Sequence, residues 1–175
     1  MRIGVLSDTH GLLRPEVVAA FEGVDHILHG GDIGGEGVLT ELRALAPVTA
    51  VAGNVDGFRC GDARETARIE LGGVRFFLTH ILDRPHRPRS EVAAELRREP
   101  ADVVVFGHSH LPHDEVVAGV RFFNPASAGP RRFDYPVSVG IFEVKRGRLA
   151  GARFVALDAR SGPALARHMN QLSNR

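Results

Sequence analysis

Ile3-Gly4-Val5-Leu6-Ser7-Asp8-Thr9-His10 opens the chain with a short apolar run that stops abruptly at a carboxylate and an imidazole. The same figure returns at His26-Ile27-Leu28-His29-Gly30-Gly31-Asp32 and at Val48-Thr49-Ala50-Val51-Ala52-Gly53-Asn54. Apolar runs of this length read as strands buried on both faces, here over 3–6, 26–28 and 48–51. Between them, Pro15 opens a helix with Val17, Val18 and Phe21 on one face, and a second helix spans 37–45 before Pro47. The order β-α-β-α-β is that of a parallel sheet with right-handed crossovers.

The second half reads differently. Thr66–Leu71 and Val74–Thr79 flank Gly72-Gly73, a hairpin signal. Ser90 is placed to cap a helix running to about Glu99, with Pro100 beyond it. An apolar strand follows at 103–106. Strands 114–117 and 120–124 flank Ala118-Gly119, and strands 137–144 and 149–155 flank Lys145-Arg146-Gly147. A short helix at 163–172 ends the pattern. The fold class is α/β: two mixed β-sheets packed face to face with helices outside, in one domain over 1–175.

A chain of 175 residues has room for a sizeable core. The net charge of +1 argues against a nucleic-acid or membrane field, so no stable nucleic-acid complex and no membrane association are expected. The apolar start is too short for a signal peptide or a membrane span, and Cys60, the single cysteine, rules out an internal disulfide. The expected location is the cytoplasm, and the expected assembly a homodimer.

Five motifs stand where strands end: Asp8-Thr9-His10, Gly31-Asp32, Gly53-Asn54, Thr79-His80 and Gly107-His108-Ser109-His110. Ligand sites of open α/β sheets lie beyond the carboxyl ends of the strands, so these loops can converge. Residues two apart on extended backbone point the same way, so Asp8 with His10, and His108 with His110, can each deliver two ligands to one centre. Each motif alone also has an ordinary structural reading as a turn, a cap or a bonded loop residue. All five in order are harder to explain that way. Carboxylate, amide and imidazole donors without thiolate suit Mn, Fe, Co, Ni or Zn. Two such ions can share a bridging water and clamp a phosphoryl group, with Asp32 the natural bridging carboxylate.

With these motifs the sequence resembles the calcineurin-like metallophosphoesterase superfamily, and most closely its small single-domain bacterial and archaeal phosphodiesterases. The resemblance runs from Asp8 to about Arg132 and implies the four-layer α/β/β/α sandwich of the metallo-dependent phosphatase fold. It implies two divalent metal ions, Mn the first choice, with Asp8, His10 and His110 at one, Asn54, His80 and His108 at the other, and Asp32 between them. Asn54 would also touch the phosphate of a small phosphoester substrate. Asn124-Pro125-Ala126-Ser127 resembles an Asn-Pro-Gly-Ser turn of the small subgroup, continued by Pro130-Arg131.

Three positions depart from the pattern. Val55, followed by Asp56, stands where many members carry a proton-donating His. Ile81 replaces a Gly and bears on the pocket wall. Ala126 replaces another Gly, which requires ordinary backbone there. The expected reaction is phosphodiester hydrolysis by a metal-bridging hydroxide, with Asn54, Asp56 and His80 as catalytic residues and Asn54 and Arg131 holding substrate. Arg132, Arg84 and Arg87 are further candidate phosphate contacts, and His86, His113 and Asp56 candidate proton donors. Without a general acid, good leaving groups are favoured. The alternatives are a phosphomonoesterase on the same site, and a non-catalytic protein-binding scaffold such as the retromer subunit of this fold.

Overall fold

Two five-stranded sheets carry the molecule, each apolar on both sides. The structure, a computed structural model, describes residues 1–57, 60 and 63–173, without the side chains of 171–173. The elements in order are β1 (Arg2–Leu6), α1 (Pro15–Ala20), β2 (His26–His29), α2 (Glu36–Arg43), β3 (Val48–Ala50), β4 (Thr66–Leu71), β5 (Val74–Thr79), β6 (Asp83–Arg84) and β7 (Arg87–Pro88). Then come α3 (Ser90–Arg98), β8 (Val103–Val105), β9 (Pro112–Val117), β10 (Val120–Pro125), β11 (Ser138–Lys145), β12 (Arg148–Ala156) and α4 (Ser161–Ser173).

The first sheet runs β12-β11-β1-β2-β3, the second β4-β5-β8-β10-β9. Both are mixed. Strands β1, β2 and β3 are parallel, with β11 antiparallel to β1. In the second sheet β5, β8 and β10 are parallel, with β4 and β9 antiparallel at the edges. The carboxyl ends of β1, β2, β3, β5 and β8 carry the five motifs, as the sequence implies.

Period-two alternation along the strands builds three core layers. Val5, Leu28, Phe76, Leu78, Val103, Val105, Phe123 and Phe142 meet between the sheets. Their neighbours Leu6, Ile27 and Ile141 face outward under α1 and α2. Phe77, Val104 and Phe122 face outward under α3, against Val92. Both faces of each sheet are therefore covered, which is why these strands read as unbroken apolar runs. The result is the four-layer α/β/β/α sandwich.

Some local readings change. Ser90 is not the N-cap: that place falls to Arg89, with no side-chain cap bond, and Ser90 is the first helical residue. The two-stranded hairpin β6–β7 has no counterpart in the sequence pattern, because its strands are two residues long and rich in Arg and Pro. Ala126 does not have ordinary backbone. Its φ is +69°, and its amide donates to Asn124 Oδ1 at 2.9 Å, so the turn keeps the left-handed geometry of a glycine with a methyl in place.

Candidate metal centre

The parallel pairing of β1 with β2 continues past both strands. Asp8 N–H donates to Gly31 O, His10 N–H to Asp32 O and Gly11 N–H to Ile33 O. This brings the first two motif loops side by side. Two glycines let the other motif loops close on this pair. Gly31 has φ +95°, and a Cβ there would stand 2.7 Å from His80 Nδ1. At Gly53 a Cβ would fall on the carboxylate and amide of Asp32.

The candidate ligands do not sit on extended chain. Asp8, His10, Asp32, His108 and His110 all have positive φ, between 48° and 69°. The expected pairing by alternate residues therefore fails for the closing motif. His108 and His110 turn to different partners, because left-handed backbone at both breaks the period of two. Asp and His tolerate this region better than branched residues, and such strain clusters at functional sites.

One group comprises Asp8, His10 and His110. His110 Nε2 lies 3.2 Å from Asp8 Oδ1 and 3.3 Å from His10 Nε2. A second comprises Asp8, Asp32 and His80. Asn54 Oδ1 joins it, 3.1 Å from His80 Nε2 and 3.0 Å from His108 Nδ1. Asp32 reaches both sides: Oδ2 is 3.7 Å from His10 Nε2 and Oδ1 is 3.3 Å from His80 Nε2. Asp8 is shared as well, which the sequence does not indicate.

Burial pushes the Asp32 pKa up, but the hydrogen bond and charge of His80 and the Val55 N–H outweigh it and hold the pKa at about 2. Burial disfavours charge on His80, yet Asp32 and Asp8 together raise its pKa above the ordinary value. The pocket thus attracts positive charge. Asp8 Oδ1 and His110 Nδ1 are buried without a hydrogen-bond partner. A buried carboxylate oxygen left without a donor needs a cation or a proton, so the donor set fits divalent metal.

Three assignments change. Arg131 does not face the cluster: it donates to Asp158 Oδ2 at 2.6 Å, Ser161 Oγ at 2.8 Å and Tyr135 O at 2.7 Å, tying the start of α4 to its loop. Its neighbour Arg132 does face the cluster, with Nη2 3.3 Å from His10 Nε2. Asp56 is no proton donor. It is buried and accepts the N–H groups of Ile33, Gly34 and Gly53 and the thiol of Cys60. Burial works to raise its pKa, but those bonds keep it below the usual carboxylate value. Asp56 therefore positions the Asp32 and Asn54 loops. Burial, with Asp56 beside it, pushes the Cys60 thiol up to about 11. Finally, His86 and His113 both pair with Glu115, at 2.7 and 3.1 Å, and not with the cluster.

Beside Asn54 and His80 opens a cleft of about 450 Å³, lined also by Ile81, Thr66, Val92 and Arg89. Ile81 does form part of the pocket wall, as its departure from the family pattern suggests. Val55 is half exposed, and only its backbone N–H reaches the cluster, donating to Asp32 Oδ1 at 3.1 Å.

A two-sheet sandwich with nitrogen and oxygen donors gathered at its strand ends is an arrangement suited to a metal-dependent phosphoesterase, a hydrolase of phosphoric esters. A sequence profile of the calcineurin-like phosphoesterase superfamily domain matches residues 1–147, and the chain belongs to that superfamily. A probable metallophosphoesterase of Methanothermobacter thermautotrophicus is 35% identical over 97% of this chain and 98% of its own. An archaeal phosphodiesterase structure superposes with a TM-score of 0.71 at 26% identity, over 89% of this chain and 99% of that one. Vps29 of Chaetomium thermophilum shares the fold, with a TM-score of 0.71 at 16% identity over 89% and 96% of the two chains. No helix among the described residues is long and apolar enough to cross a membrane.

Proposed function

We propose that this enzyme is a phosphodiesterase that works with two divalent ions, Mn the first choice. The carrying observation is that the two oxygens of Asp32 face different donor groups, His10 on one side and His80 on the other. Asp8, His10 and His110 would hold one ion, Asn54, His80 and His108 the other, with Asp32 shared. When bound, the ions supply Lewis acidity, which lowers the pKa of water and neutralises phosphoryl charge.

The chain's own groups do the rest. His80 donates Nδ1–H to Gly30 O at 2.8 Å, which leaves Nε2 turned toward Asp32. Asn54 Nδ2 makes no hydrogen bond among the described residues and is available to a phosphoryl oxygen. Arg132 offers a guanidinium on the opposite flank, suited to a second phosphoryl oxygen. The cleft beside Asn54 gives room for one esterified group, which supports a diester over a bare monoester. No described side chain is placed to protonate the leaving oxygen, so that proton comes from solvent. The donors gathered at the strand ends favour the enzyme over the scaffold reading.

The test is metal analysis of purified protein, then assay of paired mono- and diester substrates with each divalent ion restored to chelated enzyme. Diester hydrolysis that saturates at two ions per chain supports the reading. Turnover of monoesters alone, or saturation at one ion, refutes it.

A further inference from the structure

His29 is buried one turn of chain before Asp32 and is not among the metal-ligand candidates. Its two ring nitrogens have opposite partners. Gly31 N–H donates to Nδ1 at 3.2 Å. On the other side Nε2 meets Thr9 Oγ1 at 3.0 Å, and the Thr9 hydroxyl spends its only proton on Ile33 O at 2.8 Å. Thr9 must therefore accept from Nε2–H, which fixes the tautomer: Nε2 donates and Nδ1 accepts. Thr9 separates Asp8 from His10, and Gly31 and Ile33 flank Asp32.

We propose that His29 is a positioning residue for the metal ligands: through the Thr9 hydroxyl it locks the Asp8–His10 loop against the Asp32 loop. The geometry makes this more than core filling. Asp8 and His10 both have left-handed backbone, and the backbone bonds from Asp8, His10 and Gly11 N–H join the two loops; the Thr9 hydroxyl adds a buried side-chain tie between them at the one residue that separates the two ligands. The chain of bonds also continues. Ile33 N–H donates to Asp56 Oδ2, which accepts Gly53 N–H as well. His29 and Asp56 thus pin three ligand-bearing loops from below, with every bond buried or partly so. Partners beyond the direct ligands commonly govern metal affinity by about 10–100-fold.

The inference rests on the two-ion reading, and the experiment keeps the two apart. Wild type, Thr9→Val, Thr9→Ser and His29→Gln are prepared in chelator, and thermal melts establish that each is folded. Each is then titrated with Mn(II) by calorimetry, and the paramagnetic resonance spectrum is recorded at saturation. Thr9→Val keeps the side-chain shape and removes both bonds; His29→Gln attacks the same link from its other end. The expected result is at least about tenfold weaker uptake of the second ion in both, with an altered spin-coupled signal, and recovery of both properties in Thr9→Ser. Wild-type affinity and an unchanged spectrum in either folded variant overturn the role. A wild type that takes up no pair of ions overturns the two-ion reading instead, and that result is seen before any variant is compared.

Discussion

The Nδ1 nitrogen of His80 lies 2.8 Å from the carbonyl oxygen of Gly30, a buried contact that only an N–H can make. The bond orients the ring so that Nε2 faces Asp32 at 3.3 Å. A substitute that fills the space without either nitrogen should empty this side of the site. His80→Phe is expected to lower metal-dependent diester hydrolysis by at least ~100-fold. Bound Mn per chain, counted by elemental analysis, should fall in step. Two ions bound at wild-type affinity would show that His80 is not a ligand.

Arg131 and Arg132 are neighbours with separate tasks, and substitution should separate them. Arg131→Ala removes the bonds to Asp158, Ser161 and Tyr135 and is expected to cost about 1–2 kcal/mol, because the pair is partly exposed. Its activity below the melting range should be unchanged. Arg132→Ala should leave the melting temperature within error and cut kcat/KM about 10–100-fold through lost contact with the phosphoryl group. Urea unfolding and steady-state kinetics on both proteins decide the matter. The reversed pattern would return the substrate contact to Arg131.

Much of this is legible in the chain, and the pattern of success has physical causes. The apolar runs at β1, β2, β5 and β8 read correctly because both faces of those strands are covered, and burial imposes the composition. Asp8, His10, Asp32, Asn54, His80, His108 and His110 stand out together because strand ends converge whatever the loop details. The loop details themselves are hidden. Left-handed φ at Asp8, His10, Asp32, His108 and His110 leaves no trace when the residue is not glycine. Ala126 misleads for the same reason: an alanine predicts ordinary backbone, and the Asn124 side chain overrides it. Which of two adjacent arginines faces a site depends on a turn, and the partner of Arg131, Asp158, is distant in sequence. His29 does carry a signal, an imidazole at the end of an apolar strand beside a motif, but nothing in the chain names its partner Thr9.

Val55 stands half exposed where a proton-donating imidazole would serve, and no described side chain replaces it. Hydrolysis should therefore depend steeply on the leaving group, fast for aryl and slow for alkyl diesters. General acids commonly contribute about 10²–10⁴-fold. Val55→His is expected to raise kcat for an alkyl diester by about tenfold or more while barely changing the aryl rate, so the slope of log kcat against leaving-group pKa flattens. An equal slope in both proteins would mean that proton donation does not limit the reaction.

Burial drives the His29 pKa down to about 4, although the nearby charges of Asp8 and Asp56 oppose the shift. The folded protein holds this ring neutral, whereas the unfolded chain binds a proton below about 6.5. The unfolded state therefore gains protons first as pH falls, so the contribution to stability is complete above pH 6.5 and is lost progressively toward pH 4. A gap of about 2.5 pKa units corresponds to at most about 3.4 kcal/mol. Asp32 and Asp158, both with pKa of about 2, act in a separate window: their stabilisation is intact above about 4 and fades only as pH drops toward 2. Urea unfolding of chelated protein from about pH 8 to about pH 4 should thus show a decline that begins below about 6.5. His29→Gln has no ring to protonate, so its stability should be lower at about pH 8 and decline less than wild type between about 6.5 and 4.5, the remaining slope coming from His10 and His26, whose pKa burial also lowers, against His80, whose pKa is raised. A variant that declines as steeply as wild type over that interval would assign the titration to another group.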